Sequence, residues 1–248
     1  MYTERRRCGT LPLIVTTRYP WVLEWPSWMF TDGKKGHMEF HLLYSGRLKA
    51  AGGLDDKFAI RRQMNPQLAQ LWETHPAMLR MKNEGFTVFG EDFANLGVHP
   101  ANVFGDTAYL TLDQFAEQFR IGDFRFAPLI CRSFLTTCSL DILFLRCSPP
   151  GKLISESGDI DNRIKTLFDG LRMPKPGQEI GGQKPAGQAE NPFFCLLEDD
   201  SLITDFRVTG DRLLTPATSP DHSENEVHLV IKVKVNVPHP IPLNMPFL

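Results

Sequence analysis

The chain has 248 residues, 42% hydrophobic and 23% charged, with 27 Lys and Arg against 29 Asp and Glu for a net charge of −2. That balance excludes binding to nucleic acid through a whole-molecule field, so any affinity for phosphate has to come from local basic patches. No apolar run is long enough to span a bilayer, and five cysteines, odd in number and without a Cys-x-x-Cys spacing, read as reduced thiols, so a cytoplasmic protein with no membrane partner is expected.

Residues 1–36 are rich in Arg, Pro and Trp. Pro20 and Pro26 interrupt any helix there, which predicts an irregular arm. Its Trp21, Trp25 and Trp28 pack either on the core or a partner subunit, or, as a sharper alternative, stack on bases. Residues 37–248 make up the main domain, with insertions at 83–110 and 174–192. Over 37–44, Met38, Phe40, Leu42 and Tyr44 alternate with His37, Glu39 and His41, which predicts a half-buried strand. The two histidines have no third ligand at a useful spacing and belong to a solvated face rather than to a metal. Arg47 and Lys49 come directly after the strand. A helix then runs from about Lys57 to about Trp72, with Ile60, Met64, Leu68, Leu71 and Trp72 as its apolar stripe. Arg61 and Arg62 fall at its N-terminal end, where cations oppose the helix dipole. Either an anion such as a DNA phosphate lies nearby, or Asp55 and Asp56 neutralise them internally.

Residues 83–110 read as loop-rich and 112–119 as a short helix. A central strand is expected over 138–145, mainly apolar on both faces and therefore buried on both. After Pro149-Pro150-Gly151 comes a helix in which Ile160, Ile164, Leu167, Phe168 and Leu171 form a buried stripe. Asp161, Lys165 and Asp169 recur every fourth residue beside it as one polar column, with Asp159 at the N-cap or one residue from it. Asp at a cap or an Asp161–Lys165 surface pair is the ordinary structural reading. Pro174 stops the helix, and the Gly/Pro/Gln-rich 174–192 stretch reads either as a plain unstructured insertion or as a lid or strand guide. Glu198, Asp199 and Asp200 then lie between the apolar runs 193–197 and 202–203, where three adjacent acids repel unless cations or water receive them. Strands are expected over 202–208 and 227–237, the second being the clearest one-sided alternation in the chain. The elements add up to the α+β class, a mixed β-sheet with helices packed against it.

The run Asp159-x-Asp161-Asn162-x-x-Lys165-x-x-x-Asp169, followed by Asp199-Asp200 and then Asp205, resembles the signature of the RusA family of Holliday junction resolvases. The likeness covers about the last half of the chain, and the strand at 37–44 with the basic segment 45–49 is similar to the family's first strand and the basic segment after it. The resemblance implies that Asp159, Asp161 and Asp200 are the catalytic metal-site carboxylates, that Lys165 is also needed, and that the protein is a homodimer.

Hydrolysis of a phosphodiester needs the phosphate charge neutralised and a water activated at neutral pH. A hard divalent cation, Mg²⁺ or alternatively Mn²⁺, supplies both when carboxylates hold it. Asp159, Asp161 and Asp200 are the expected ligands, with Asp199 as a further ligand or as a partner of one. Lys165 stands about 6 Å along the helix from Asp161, within reach of a phosphate oxygen or the attacking water. Arg47, Lys49, Lys57, Arg61 and Arg62 are the expected DNA contacts. The function expected is a Mg²⁺-dependent structure-specific endodeoxyribonuclease cutting four-way junctions in recombination and repair. The alternatives are a nuclease on flaps, other branched DNA or single strands, a non-catalytic structure-specific DNA-binding protein, and a small-molecule metal hydrolase.

Overall fold

The computed structural model describes residues 38–89, 103–104, 107–147, 159–177, 180, 185–214, 226–240 and 244–248, all within the unit Gly36–Leu248. The arm at 1–36 with its three tryptophans, and His37, lie outside the described residues.

Alternation of apolar and polar residues builds the main sheet. It contains β1 (Glu39–Arg47), β7 (Thr137–Arg146), β9 (Ile203–Arg212) and β10 (Glu226–Asn236) in the order β1-β10-β7-β9. β10 pairs antiparallel with both β1 and β7, whereas β7 and β9 run parallel. Parallel neighbours need a crossover. The crossover here carries α4 (Asp159–Leu171). In β10, Val227, Leu229, Ile231, Val233 and Val235 are all buried, as their spacing predicts. In β1 the buried residues are Leu42 and Tyr44, with Phe40 packed against the same core and buried Met38 just ahead of the strand.

The central strand β7 corrects one expectation. It is central in the sheet, but only Cys138, Leu140, Ile142, Phe144 and Arg146 are buried, while Asp141 is exposed and Ser139, Leu143 and Leu145 are half-buried.

The buried face is covered by α1 (Leu54–Thr74) and α4. Helix α1 is longer than predicted by one turn at its start. His75, extended with Pro76 behind it, separates α1 from α2 (Pro76–Glu84), which local periodicity does not reveal. The two helices α1 and α4 meet closely because Gly170 of α4 lies under Ile60. Polar side chains of α1 also hold two strand edges. Gln67 and Gln63 each accept from and donate to the outward peptide groups of Leu43 and Ser45 on β1. Residues four apart on a helix advance about 6 Å and residues two apart on a strand about 6.6 Å, so the two glutamines match alternate strand residues. Buried Asn65 accepts from the Phe194 N–H at 2.8 Å, on β8 (Phe193–Leu197).

The stretch read as loop-rich holds β2 (Phe86–Phe89), β3 (Val103–Phe104) and β4 (Thr107–Leu110), a three-stranded sheet in the order β2-β4-β3. Helix α3 (Leu112–Gln118) falls where predicted, with Thr111 and Gln114 forming a reciprocal cap. β5 (Arg120–Ile121), β6 (Phe124–Ile130) and β8 form a third sheet in which β6 and β8 are parallel. Phe58, Phe124, Phe126, Phe193 and Cys195 make a second apolar cluster there, with Ile180 and Ala186 of the 174–192 insertion packed against it. Among its described residues the insertion is thus anchored rather than a bare loop. Four of the five cysteines are described and are free thiols, with burial pushing Cys138 up to about 12 and Cys131 and Cys195 well above the ordinary range.

Candidate metal and nucleic-acid site

Helix α4 begins at Asp159, although the Asp159 side chain is not among the described groups. Its apolar stripe does what the spacing predicts, with Ile164, Leu167 and Leu171 buried and Ile160 and Phe168 packed partly against the core. Asp161, Asn162 and Lys165 are exposed on the first half of the helix. Asp161 and Lys165 make no ion pair with each other or with any other described residue, so the ordinary surface-pair reading does not account for them.

The polar column does not continue to Asp169. That carboxylate is buried, 2.7 Å from Lys57 Nζ and 2.6 Å from Arg172 Nη2. Burial raises its pKa, but the hydrogen bonds and charges of Lys57 and Arg172 outweigh burial and hold it below the usual carboxylate range. Arg61 is 1% exposed and donates through Nε and Nη2 to the carbonyl oxygens of Arg172 and Asp169, at 2.8 and 2.6 Å. Those are C-terminal carbonyls of α4, which have no partners within the helix. Arg62 pairs with Glu190 at 3.0 Å and lies over the Phe58 ring. These cations thus have internal partners, Asp169 for Lys57, helix carbonyls for Arg61 and Glu190 for Arg62. Of the five expected DNA contacts, Lys57, Arg61 and Arg62 each have a structural partner within the chain.

Arg47 and Lys49 remain at the surface, although Lys49 bonds Asp56. The segment carrying them is tied to the motif helix. Arg163 donates to the Leu48 carbonyl, and the Gly52 N–H donates to Thr166 Oγ1 at 3.2 Å. A cation-bearing loop thus lies against the helix that presents Asp161 and Lys165.

The acidic turn lies at the other end of α4. Leu197 bridges Arg172, and the Met173 N–H donates to the Leu197 carbonyl at 2.8 Å, so Glu198, Asp199 and Asp200 come directly beside the helix C-terminus. From 161 to 172 is 11 residues, roughly 16 Å of helix. The reason is the parallel crossover, which returns the chain to the start of β9. Within one chain Asp161 and the acidic turn are therefore not brought to a common ion. Among the described residues no group of three or more His, Cys, Asp or Glu is placed to hold a metal.

Within the turn the acids differ. Arg132, which no sequence pattern singles out, bonds Glu198 through its Nη1 and its backbone N–H, both at 2.8 Å, and lies 3.7 Å from Asp199. Asp199 caps the next 3-10 turn by accepting from the Ser201 N–H, and its carboxyl is held below the usual range by Ser201 despite some burial, with Arg132 and Lys175 adding to the effect. Asp200 is half-buried, with no side-chain bond or ion pair to any other described residue. No local pattern marks Arg132 as the cation that receives these acids, because it stands 66 residues from Glu198.

Comparison with protein-family models, with curated proteins and with solved structures finds no match.

Proposed function

We propose that this protein is a divalent-metal-dependent, structure-specific endodeoxyribonuclease of the RusA kind, acting on four-way junctions or other branched DNA as a homodimer in the cytoplasm. The observation that carries the reading is the exposed set Asp161, Asn162 and Lys165 along the first half of α4, next to the basic loop at Arg47 and Lys49 that Arg163 and Thr166 tie to the same helix. An acid and a lysine that no described residue pairs, on a helix whose Asp169 is taken up by an internal ion network, are in keeping with a chemical role for the first two and a structural one for the third.

Asp159 and Asp161 are the pair that would hold Mg²⁺ or Mn²⁺. Two carboxylates fit a cation that retains several waters. When bound, the ion neutralises charge on the scissile phosphate and lowers the pKa of a bound water. Lys165, about 6 Å along the helix from Asp161, would hold a phosphate oxygen as charge builds there. Arg47 and Lys49 would orient the strand by its phosphates and carry no sequence information. Asp200, which no described residue pairs, is the remaining candidate for the reaction, while Glu198 and Asp199 have structural partners.

The test is cleavage of labelled junction, flap, duplex and single-stranded DNA with Mg²⁺, Mn²⁺ or chelator. Asp159→Asn and Asp161→Asn should each abolish cutting with circular dichroism and DNA binding retained, while Asp200→Asn tests whether the acidic turn at the other end of α4 takes part. Lys165→Ala should lower single-turnover rate at saturating DNA more than affinity. Full turnover by Asp161→Asn removes the metal site, and full turnover by Asp200→Asn removes the acidic turn from the reaction.

A further inference from the structure

The main sheet ends in two unlike edges. On β1 the outward peptide groups of Leu43 and Ser45 are occupied by Gln67 and Gln63, so that edge is closed to another strand. β9 forms the other edge and, among the described strands, is hydrogen-bonded only to β7. Residues 204–207 and 209–212 of it are exposed. Phe206 lies beside Leu140 on the helix-covered face and meets the Phe168 ring edge-on at 5.2 Å, yet it stays 51% exposed. A long edge strand with a large apolar ring half out of water is a template for another strand.

The charges on β9 are self-complementary in one arrangement. Asp205 and Arg207 lie beside Ser139 and Asp141 on the face away from the helices, with Phe206 between them on the other. In an antiparallel pair made by a two-fold axis, directly opposed residues share a face. With the axis at Phe206, Asp205 opposes the partner's Arg207 on both sides of the axis, and the two Phe206 rings meet beside Phe168. With the axis at Asp205 or Arg207, like charges meet at the centre. With the axis at Val208, Asp205 opposes the partner's Asp211. With the axis at Thr209, Arg207 finds the partner's Asp211, but Phe206 faces the partner's Arg212.

We propose that β9 is the homodimer interface of this protein, a second copy adding antiparallel about a two-fold axis at Phe206. The inference deepens the dimeric part of the functional reading and rests on it for the expectation of two copies; the surface and register come from β9 itself. Two symmetric ion pairs flank one aromatic contact, so reversing a single charge converts two attractions into two repulsions.

Sedimentation velocity on the full chain at micromolar concentration tests it. The wild type sediments as a dimer, Asp205→Arg and Arg207→Asp each weaken association at least about tenfold, and the double variant Asp205→Arg/Arg207→Asp restores it. Asp211→Arg leaves the dimer intact. Restoration in the double variant separates dissociation from misfolding. A wild type that is monomeric throughout the micromolar range overturns the proposal together with the dimer. A dimer indifferent to Asp205→Arg overturns β9 alone, and one broken by Asp211→Arg instead overturns the register. Cleavage of branched DNA, scored on the same samples, tests the nuclease reading separately.

Discussion

Asp161 and Asp169 are eight residues apart on one helix and have opposite fates. Asp161 is exposed, whereas Asp169 holds Lys57 and Arg172 together beneath α1. Removing one member of a buried ion network leaves its partners uncompensated. Asp169→Asn is therefore expected to cost about 2–4 kcal/mol, read as the shift in urea midpoint at pH 7. Asp161→Asn should cost close to nothing in the same measurement. The sign of the pH dependence comes from the lowered Asp169 pKa. Between the folded and unfolded values the unfolded state binds more protons, so this contribution is complete above the ordinary carboxylate value, near pH 4, and is lost as the pH falls through the folded one. The gap in stability between wild type and Asp169→Asn should accordingly narrow below about pH 4; a gap that widens there contradicts the ion network.

At the scale of elements, the packing of α1 on α4 positions the motif helix. A methyl group added at Gly170 would lie 2.7 Å from Ile60 Cβ and Cγ2 and 2.8 Å from Cδ1, closer than atoms in a core tolerate. Alanine gains about 0.5–1 kcal/mol in helix propensity over glycine, but overpacking costs about 1–3 kcal/mol. Gly170→Ala should be destabilising on balance. In an Ile60→Ala background, where two of the three obstructing carbons are gone and only Cβ remains, part of that cost should be relieved. A double-mutant cycle in chemical denaturation measures the coupling, and additive effects would show that the helices are not in register here.

For the whole molecule, a net charge of −2 means that the proposed DNA affinity has to come from a small basic patch. Arg47 and Lys49 are at the surface next to the motif helix, while Arg61 is enclosed and Arg62 is engaged by Glu190. Replacing Arg47 and Lys49 with Gln should weaken binding to all sequences and flatten the salt dependence by about 0.9 in log–log slope for each phosphate that the variant no longer neutralises. Replacing Arg61 with Gln should lower Tm and leave the slope unchanged. Titrations at several salt concentrations, in Ca²⁺ or with Asp161→Asn to prevent cutting, distinguish the two. A flattened slope for Arg61→Gln together with an unchanged one for Arg47 and Lys49 would move the DNA surface elsewhere.

Local periodicity by itself determined much of this. The stripe at Ile164, Leu167 and Leu171, the alternation of β10, the strand at β1 and the capped helix at Thr111 depend on neighbours within one or two turns, and each emerges where the spacing predicts. Short elements with weak patterns, α2 and the strands β2 to β4, carried too few residues for a period to register. Only tertiary structure decided which charges meet. Arg132 reaches Glu198 across 66 residues, Lys57 reaches the Asp169 carboxylate from another helix and Arg62 reaches Glu190 across 128. It also decided that the acids of the motif lie at opposite ends of one helix. Spacing along a chain specifies the face a side chain occupies, but a parallel crossover specifies which ends of two elements adjoin, and that is set by packing the helix against the sheet.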